Sequence, residues 1–352
     1  MLTDNQSTLL RFLDPKVKRE VLTLGVGSAG CKIVSHLQAS GGIKGRFAYV
    51  STEEKDLNYS QVGDKLLVEN GFHGKTSPFH VRGRAVKDVP LIKEMVNESK
   101  ILFIVTGLGG SVGSGIAPLV AQAAREIGVL SVCVAVMPYG FEKDKHFYAG
   151  TTLRKLRTLA DGVIVVDNDE LLQEAPEQPV LEAYNLVNER ITTALNALAG
   201  ETSGRNLDTG LNTLLDVVMQ KGYAVLNIFE SSIADGSEEA VVGVVQSIYR
   251  ITEPNSASKV ILHLIGDGRT SVGDIAASVN RVDALLGEES LTINTGVSTK
   301  GGSGLTAVLL ASGFETTKFD SYDPLSKILT TQLDETLEGQ VHLELSGLSS
   351  ID

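Results

Sequence analysis

The chain has 352 residues, 42% of them hydrophobic and 21% charged, which is the balance of an ordinary globular protein long enough for two domains. Its formal net charge of -12 disfavours sequence-independent binding to nucleic acid, because such binding relies on lysine and arginine neutralising phosphates. There are only two cysteines, and no segment approaches the ~18 consecutive apolar residues of a membrane-spanning helix. We therefore expect a cytoplasmic protein that neither binds nucleic acid nor inserts directly into a membrane.

The first half of the chain alternates short apolar strands with amphipathic helices, after an N-terminal extension at residues 1–20. Strands are predicted at Val21–Gly25, Phe47–Val50, Ile101–Thr106, Leu130–Met137 and Gly162–Asp167. Helices are predicted at Cys31–Gln38 and Ala117–Ile127. This alternation predicts a doubly wound α/β domain with a parallel sheet over residues 21–178.

A long helix and a smaller domain are predicted for the second half. Apolar residues recur at helical spacing from Leu181 to Leu198, with Pro179 before them and Gly200 after them, which predicts a central helix within residues 179–203. The pattern of apolar segments in residues 204–315 then predicts a smaller α+β domain with a mixed sheet. Residues 316–352 are acid-biased and irregular, and are interpreted as a C-terminal tail.

Two glycine-rich segments follow predicted strands and precede predicted helices. They are Gly25–Gly30 and Gly107–Gly115. Glycines let the backbone turn tightly and approach a phosphate, and the helix that follows offers unpaired N–H groups. The first loop alone would also suit a dinucleotide-binding dehydrogenase, with Glu53 or Glu54 on the ribose, but such a domain has one phosphate loop and not two.

The second loop resembles the signature loop of the tubulin/FtsZ family. Gly109–Gly115 reads Gly-Gly-Ser-Val-Gly-Ser-Gly, and further similar segments follow in the family's order at residues 137–142, 165–172 and 181–188. The resemblance covers roughly residues 21–315. It implies a Rossmann-like GTPase domain, a long central helix and a smaller C-terminal domain.

By this resemblance the chain binds GTP or GDP, with any Mg²⁺ carried by the nucleotide and no separate metal site. Glu142 and Asn168 would contact ribose and base, while Tyr184 would stack on guanine and Asn188, one helical turn later, would bond its edge. The remaining nucleotide-binding residues implied are Gly27, Ser28, Gly30, Cys31, Lys32, Thr52, Gly109, Gly110, Ser111, Val112, Gly113, Ser114 and His146.

Three of these positions depart from the family pattern. Lys32 stands where FtsZ usually has asparagine, Val112 replaces a hydroxyl residue, and His146 replaces an arginine. The segment that carries the family's catalytic acids departs further. One alignment keeps Asn206 and Asp208 but puts Leu211 at the last acid.

A second alignment of the catalytic segment places Asn212 on the family's asparagine and keeps only Asp216. In either alignment one carboxylate of the family's catalytic pair is missing. Loss of a group that activates water typically costs ~10²–10⁴-fold in rate, so we expect weak GTP hydrolysis.

The family resemblance also implies self-association head to tail into filaments, with the active site completed by the next subunit. One alternative is a nucleotide-binding regulator on the same fold that does not polymerise. A less favoured alternative is an NAD-dependent enzyme. Residues 345–352 do not resemble the peptide by which FtsZ docks its adaptors, which argues against a standard division-ring role and leaves the adaptor partners unidentified.

Overall fold

The computed structural model describes residues 21–69, 76–172, 177–200, 210–231, 236–253, 257–266, 270–287, 291–299 and 304–324. Its described strands form one sheet in the order β3-β2-β1-β4-β5-β6-β7-β10-β8-β9. They are β1 Val21–Val26, β2 Arg46–Ser51, β3 Asp64–Leu67, β4 Ile101–Gly107, β5 Leu130–Met137, β6 Gly162–Asp167, β7 Tyr223–Ser231, β8 Lys259–Gly266, β9 Thr292–Thr299 and β10 Leu305–Phe314.

Helices cover both faces of the sheet. They are α1 Gly27–Ser40, α2 Glu54–Leu57, α3 Pro78–Ala85, α4 Val89–Asn97, α5 Ser111–Ile127, α6 Lys143–Leu159, α7 Asn168–Leu171, α8 Val180–Ala199, α9 Gly210–Val218, α10 Gly236–Tyr249 and α11 Val272–Leu286. Short 3₁₀ turns occupy Val86–Asp88 and Lys318–Tyr322. No helix in the described ranges is long and apolar enough to cross a membrane.

The N-terminal half is a parallel sheet whose central strands are buried on both faces. Every residue of β5 and of β6 is buried, as expected for strands rich in valine that helices cover on both sides. The chain runs from β1 to β2 on one side and returns to β4 on the other side of β1. This reversal of strand order between β1 and β4 opens a crevice at their carboxyl ends.

The C-terminal strands continue the same sheet. Strand β7 joins β6 through only two parallel residue pairs, Ile164 with Ala224 and Val165 with Val225. Beyond it, β10 pairs antiparallel with both β7 and β8, while β8 and β9 are parallel. The mixed pairing of the C-terminal strands agrees with the predicted fold class. The two residue pairs between β6 and β7 join these strands to the parallel N-terminal half of the sheet.

Helix α8 is the predicted central helix. It buries Val187, Ile191, Leu195 and Leu198 on the face of the sheet that α1 also covers. Pro179 lies at its N-cap, one position earlier than the sequence pattern indicated. The helix places its first turns beside the carboxyl ends of the parallel strands, which is where α/β proteins bind ligands.

Helix α5 begins six residues earlier than predicted. The expected helix at Ala117–Ile127 treated the whole glycine run as a loop, because glycine disfavours helix interiors. In the structure the run's last five residues, Ser111 to Gly115, already form the first helical turn. Helices α2, α3, α4, α6, α7 and α9 were not predicted from the sequence. Helix α6 buries few large apolar side chains, so its periodicity is weak.

Part of the segment assigned to the tail packs on the sheet domain. Residues 316–324 are described, and their 3₁₀ turn lies against α6 with the Phe319 ring 1% exposed. The Arg154 Nε lies 2.5 Å from the Asp323 carboxylate, and the Lys318 ammonium lies 2.5 Å from that of Asp167. A buried ring and two ion pairs attach this turn to the fold. Residues 1–20 and 325–352 lie outside the described residues.

Truncating Phe319 tests this attachment. Phe319→Ala is expected to lower the free energy of unfolding by about 3–5 kcal/mol, because removing a buried ring leaves a cavity. Phe79→Ala, which truncates a ring that is 57% exposed, is the matched control and should cost about 1 kcal/mol or less. Urea unfolding followed by circular dichroism measures both. Equal stability of Phe319→Ala and wild type would contradict the packed position of this turn.

Candidate functional site

A cleft of about 280 Å³ opens at the carboxyl ends of the parallel strands. Its walls come from the segments after β1, β2, β4, β5 and β6, together with the start of α8. The lining residues are Val26, Gly27, Ser28, Ala29, Glu53, Asp56, Gly107, Leu108, Gly110, Ser111, Val112, Gly113, Val136, Met137, Pro138, Glu142, Lys145, Asn168, Tyr184, Val187 and Asn188. The cleft therefore lies at the reversal of strand order, and both glycine loops meet there.

The first glycine loop is required by close backbone contact. A Cβ atom on Gly30 would lie 2.1 Å from the carbonyl oxygen of Val105, and one on Gly25 would lie 2.7 Å from the carbonyl oxygen of Gly30. Gly27 has φ +71°, a left-handed conformation that favours glycine. These contacts let α1 begin directly at the end of β1, with no side-chain cap on its first turn. Its N–H groups are available to an anion.

The second glycine loop repeats this arrangement at the end of β4. A Cβ atom on Gly113 would lie 2.1 Å from the carbonyl oxygen of Gly107, and Gly109 has φ +88°. Helix α5 has Gly110 at its N-cap and again no side-chain cap. The Ser114 hydroxyl accepts a hydrogen bond from the Gly109 N–H at 2.8 Å, so this serine stabilises the loop. Two uncapped helix N-termini thus border one cleft.

The opposite wall carries polar side chains at the starts of α6 and α8. Glu142 accepts hydrogen bonds from the Tyr184 hydroxyl at 2.9 Å and from the Tyr139 N–H at 3.1 Å, and it pairs with the Lys145 ammonium. Burial, with the neighbouring Glu142 carboxylate, raises the pKa of Tyr184, so its hydroxyl stays a proton donor. Asn188 lies one turn beyond Tyr184 and is 6% exposed.

Asn168 carries an unused hydrogen-bond acceptor at the cleft. It follows β6, it is 6% exposed, and its Oδ1 finds no donor among the described residues. Buried amide oxygens are nearly always hydrogen-bonded, so an unpaired one that lines a cleft indicates a ligand position. This is the position that the sequence resemblance assigned to the base or ribose.

Several residues predicted for the site support it without lining it. Gly30, Gly109 and Ser114 do not line the cleft. They contribute to the packing of the two glycine loops. Cys31 is fully buried behind the first loop, where burial and the Asp56 carboxylate raise its thiol pKa to about 12. Thr52 follows β2, half-buried, outside the lining set.

Two predicted cations lie away from the cleft. The Lys32 ammonium lies 5.3 Å from the centroid of the Tyr59 ring. The His146 ring stacks on Tyr322 at a centroid distance of 3.8 Å, and its Nε2 lies 3.2 Å from the carbonyl oxygen of Tyr139. Both residues therefore have other partners in this structure, and neither belongs to the described lining.

Three charged lining residues were not among the guanine-nucleotide ligands that the family resemblance implied. Lys145 and His146 are consecutive in the first turn of α6. Lys145 lines the cleft, whereas the His146 ring stacks on Tyr322. Glu53 and Asp56 line the cleft after β2. Asp56 is 2% exposed, accepts a hydrogen bond from the Ser51 hydroxyl at 2.7 Å, and has an unpaired Oδ1 among the described residues.

The two predicted catalytic acids are not part of this subunit's described cleft. Asp208 lies outside the described residues. Asp216 lies on α9, and both of its carboxylate oxygens bind the Lys259 ammonium, at 2.7 and 2.8 Å. Its side chain is 40% exposed, so the pair lies at the surface. A catalytic role for Asp216 would therefore require contact with another subunit.

The comparisons with known proteins agree with this geometry. The family model described as the Tubulin/FtsZ family, GTPase domain, matches residues 20–176. The cell division protein FtsZ 1 of Pyrococcus woesei is 27% identical over 259 residues, which cover 71% of this chain and 70% of that protein. The FtsZ dimer of M. jannaschii superposes with a TM-score of 0.73 at 23% identity, covering 91% of this chain and 94% of that one.

A GTPγS-bound protofilament of CetZ2 from Haloferax volcanii shares the fold as well. Its TM-score is 0.68 at 20% identity, with 90% of this chain and 99% of that one covered. The fold is therefore that of the FtsZ/tubulin class. Residues 20–176 match the GTPase domain of the Tubulin/FtsZ family, and the chain is similar to FtsZ proteins over most of its length.

The close approach of the second loop gives a stability test. Gly113→Ala is expected to destabilise the unliganded protein by about 1–3 kcal/mol, because its Cβ would overlap the Gly107 carbonyl oxygen. Gly110→Ala is the control, since no atom lies within 4 Å of its added Cβ and its φ is -77°. Denaturant midpoints compare the two variants. Similar losses in both would contradict the packing argument.

Asp167, next to Asn168, gives a pH test. Burial raises the pKa of its carboxyl group from 3.8 to about 6, although the Lys318 ammonium acts in the opposite direction. The folded chain therefore binds this proton more tightly than the unfolded chain, and wild-type stability falls as pH rises through about 6. Asp167→Asn cannot ionise.

Relative to wild type, Asp167→Asn should thus gain stability between about pH 4 and pH 7, by about 3 kcal/mol in total. Thermal unfolding of both proteins across this range measures the difference. Parallel pH profiles would contradict the raised pKa of Asp167.

Proposed function

We propose that this chain binds a guanine nucleotide in the cleft and assembles head to tail into cytoplasmic filaments, with slow GTP hydrolysis. The convergence of two uncapped helix N-termini on one cleft carries the proposal, because each offers unpaired N–H groups and a positive dipole end to phosphates. The phosphate-binding residues would be Gly27, Ser28, Gly110, Ser111, Val112 and Gly113.

The polar wall supports a nucleoside on the other side of the phosphates. Glu142 is suited to accept hydrogen bonds from ribose hydroxyls, and Asn168 offers an unpaired amide oxygen. Tyr184 provides an aromatic ring, and Asn188 on the same helix face provides both donor and acceptor groups. An amide can bond the edge of guanine, which presents donors next to an acceptor.

Mg²⁺ would enter with the nucleotide. Within the part of the chain that the structure describes, no group of three or more His, Cys, Asp or Glu side chains could hold a metal ion alone. Glu53 and Asp56 nevertheless place carboxylate oxygens on the cleft, and these are ligands that Mg²⁺ prefers together with phosphates. The ion would offset the charge of the phosphates beside these acids.

Binding of different nucleotides to the unmodified protein tests the first part of the proposal. GTP and GDP at about 100 times their dissociation constants should raise the free energy of unfolding by about 2.7 kcal/mol, because they bind only the folded state. ATP and NAD at the same concentration should raise it much less. Stabilisation by NAD alone would favour the dehydrogenase alternative, for which Glu53 is the acidic residue after the second strand.

Filament formation is supported by the fold shared with a CetZ2 protofilament and with an FtsZ dimer. Head-to-tail contacts are heterologous, so they extend into filaments and do not close a pair. Negative-stain microscopy with GTP tests this second part. Binding of GTP without filaments at any concentration would instead favour a non-polymerising regulator on the same fold.

Slow hydrolysis is supported by the state of Asp216. Its carboxylate is bound through both oxygens by Lys259, so it is not available to orient water until that ion pair opens. Val112 also lines the cleft without the hydroxyl that the family has at that position. Both features lower the expected rate without weakening the phosphate-binding backbone.

Lys259→Met tests the effect of this ion pair. It is expected to increase phosphate release at filament-forming concentrations, because it frees the Asp216 carboxylate. Lys221→Met is the matched control, since Lys221 is 87% exposed and pairs with Glu315 elsewhere. Rapid hydrolysis by the wild type would contradict the inhibited state of Asp216. Rates of phosphate release equal to wild type in both Lys259→Met and Asp216→Asn would contradict it as well.

A further inference from the structure

The cleft carries more acidic side chains than a phosphate site is expected to have. Glu53, Asp56 and Glu142 line it, and in the described lining Lys145 is the one cationic side chain facing them. A nucleotide would add several negative charges to this environment. Like charges at close range repel, so a nearby cation besides Mg²⁺ would strengthen the binding of phosphates.

We infer that Lys145 supplies this cation by exchanging its ion pair with Glu142 for one with the phosphates. It leaves Glu142 to bind the phosphates, and the Glu142 oxygen that it vacates accepts a hydrogen bond from the ribose. The inference rests on the proposed function, because it concerns the same cleft. Lys145 lies one position before His146, and His146 is the residue that stands at the family's arginine position.

The position of Lys145 favours contact with the phosphate loop. Lys145 lies in the first turn of α6, directly against the second glycine loop. A Cβ on Gly109 would lie 2.6 Å from the Cβ of Lys145 and 2.9 Å from its carbonyl oxygen. The lysine stem therefore starts beside the loop, and its side chain is 38% exposed. A flexible ammonium is suited to follow a phosphate as a point charge.

Glu142 can lose Lys145 and still keep its position. Its Oε2 accepts the Tyr139 N–H at 3.1 Å, and its Oε1 accepts the Tyr184 hydroxyl at 2.9 Å in addition to the Lys145 ammonium. Its side chain is only 11% exposed. After Lys145 leaves, two donors still orient the carboxylate, and Oε1 has room for one hydroxyl donor. A ribose hydroxyl is such a donor.

The other candidate cations are occupied elsewhere. The His146 ring stacks on Tyr322 with an interplanar angle of 6°, and the Lys32 ammonium lies over the Tyr59 ring. Lys55 pairs with Glu53 from an exposed position outside the lining. Lys145 is therefore the residue whose removal should matter most to phosphate binding.

Isothermal titration of the full chain with GTP, GDP and guanosine, in the presence of Mg²⁺, tests the inference. Lys145→Met should weaken GTP binding by about 10- to 100-fold, the range for one charge-assisted hydrogen bond. Guanosine, which has no phosphate, should bind within about 3-fold of wild type. Lys143→Met is the matched control, because Lys143 is an exposed lysine on the same turn, and it should bind GTP as the wild type does.

Two further measurements separate phosphate binding from a structural role. Lys145→Arg should restore most of the GTP affinity, because it keeps the charge. For the wild type, 2′,3′-dideoxy-GTP should bind about 10-fold more weakly than GTP, since it cannot donate to Glu142. Equal affinity for the two nucleotides would overturn the exchange at Glu142.

The remaining outcomes also decide the inference. Wild-type GTP affinity in Lys145→Met, or an equal loss of guanosine binding, would overturn the role of Lys145 as a phosphate ligand. If the wild type binds no guanine compound, the proposed function itself fails. If the wild type binds GTP and Lys145→Met does too, only this inference fails.

Discussion

Contact of backbone against backbone at the two glycine loops is the constraint on which the cleft depends. Gly30 lies against the carbonyl of Val105, and Gly113 against that of Gly107, with no room for a Cβ in either place. Because α1 and α5 can then begin directly at the ends of β1 and β4, their first N–H groups reach the crevice where strand order reverses. A side chain at either glycine would displace a helix from the sheet.

This dependence on backbone groups would let an acidic protein bind the polyphosphate of the proposed nucleotide. The chain has a net charge of -12, and Glu53, Asp56 and Glu142 face the cleft. Helix N-termini attract anions through N–H groups and dipoles, which do not add to the count of charged side chains. In the inferred exchange, Lys145 completes the charge balance.

The proposed slow hydrolysis depends on a carboxylate that lies outside the cleft. Asp216 lies on α9 and is held by Lys259 on β8. Neither Asp216 nor Lys259 lines the cleft, so the ion pair and the cleft are made by different residues. The proposed binding and the proposed slow hydrolysis therefore rest on separate parts of the structure.

The sequence alone determined the fold class, because alternating apolar strands and two glycine loops after strands are local patterns. It placed β5 and β6 at their observed bounds and placed α8 within one residue at each end. Resemblance to a family also named Asn168, Tyr184 and Asn188, which the structure brings together at one cleft. Only the tertiary structure decided which side chains face that cleft. Lys145 and His146 are neighbours in the chain, but the rotation of α6 and the packing of Tyr322 send them in different directions.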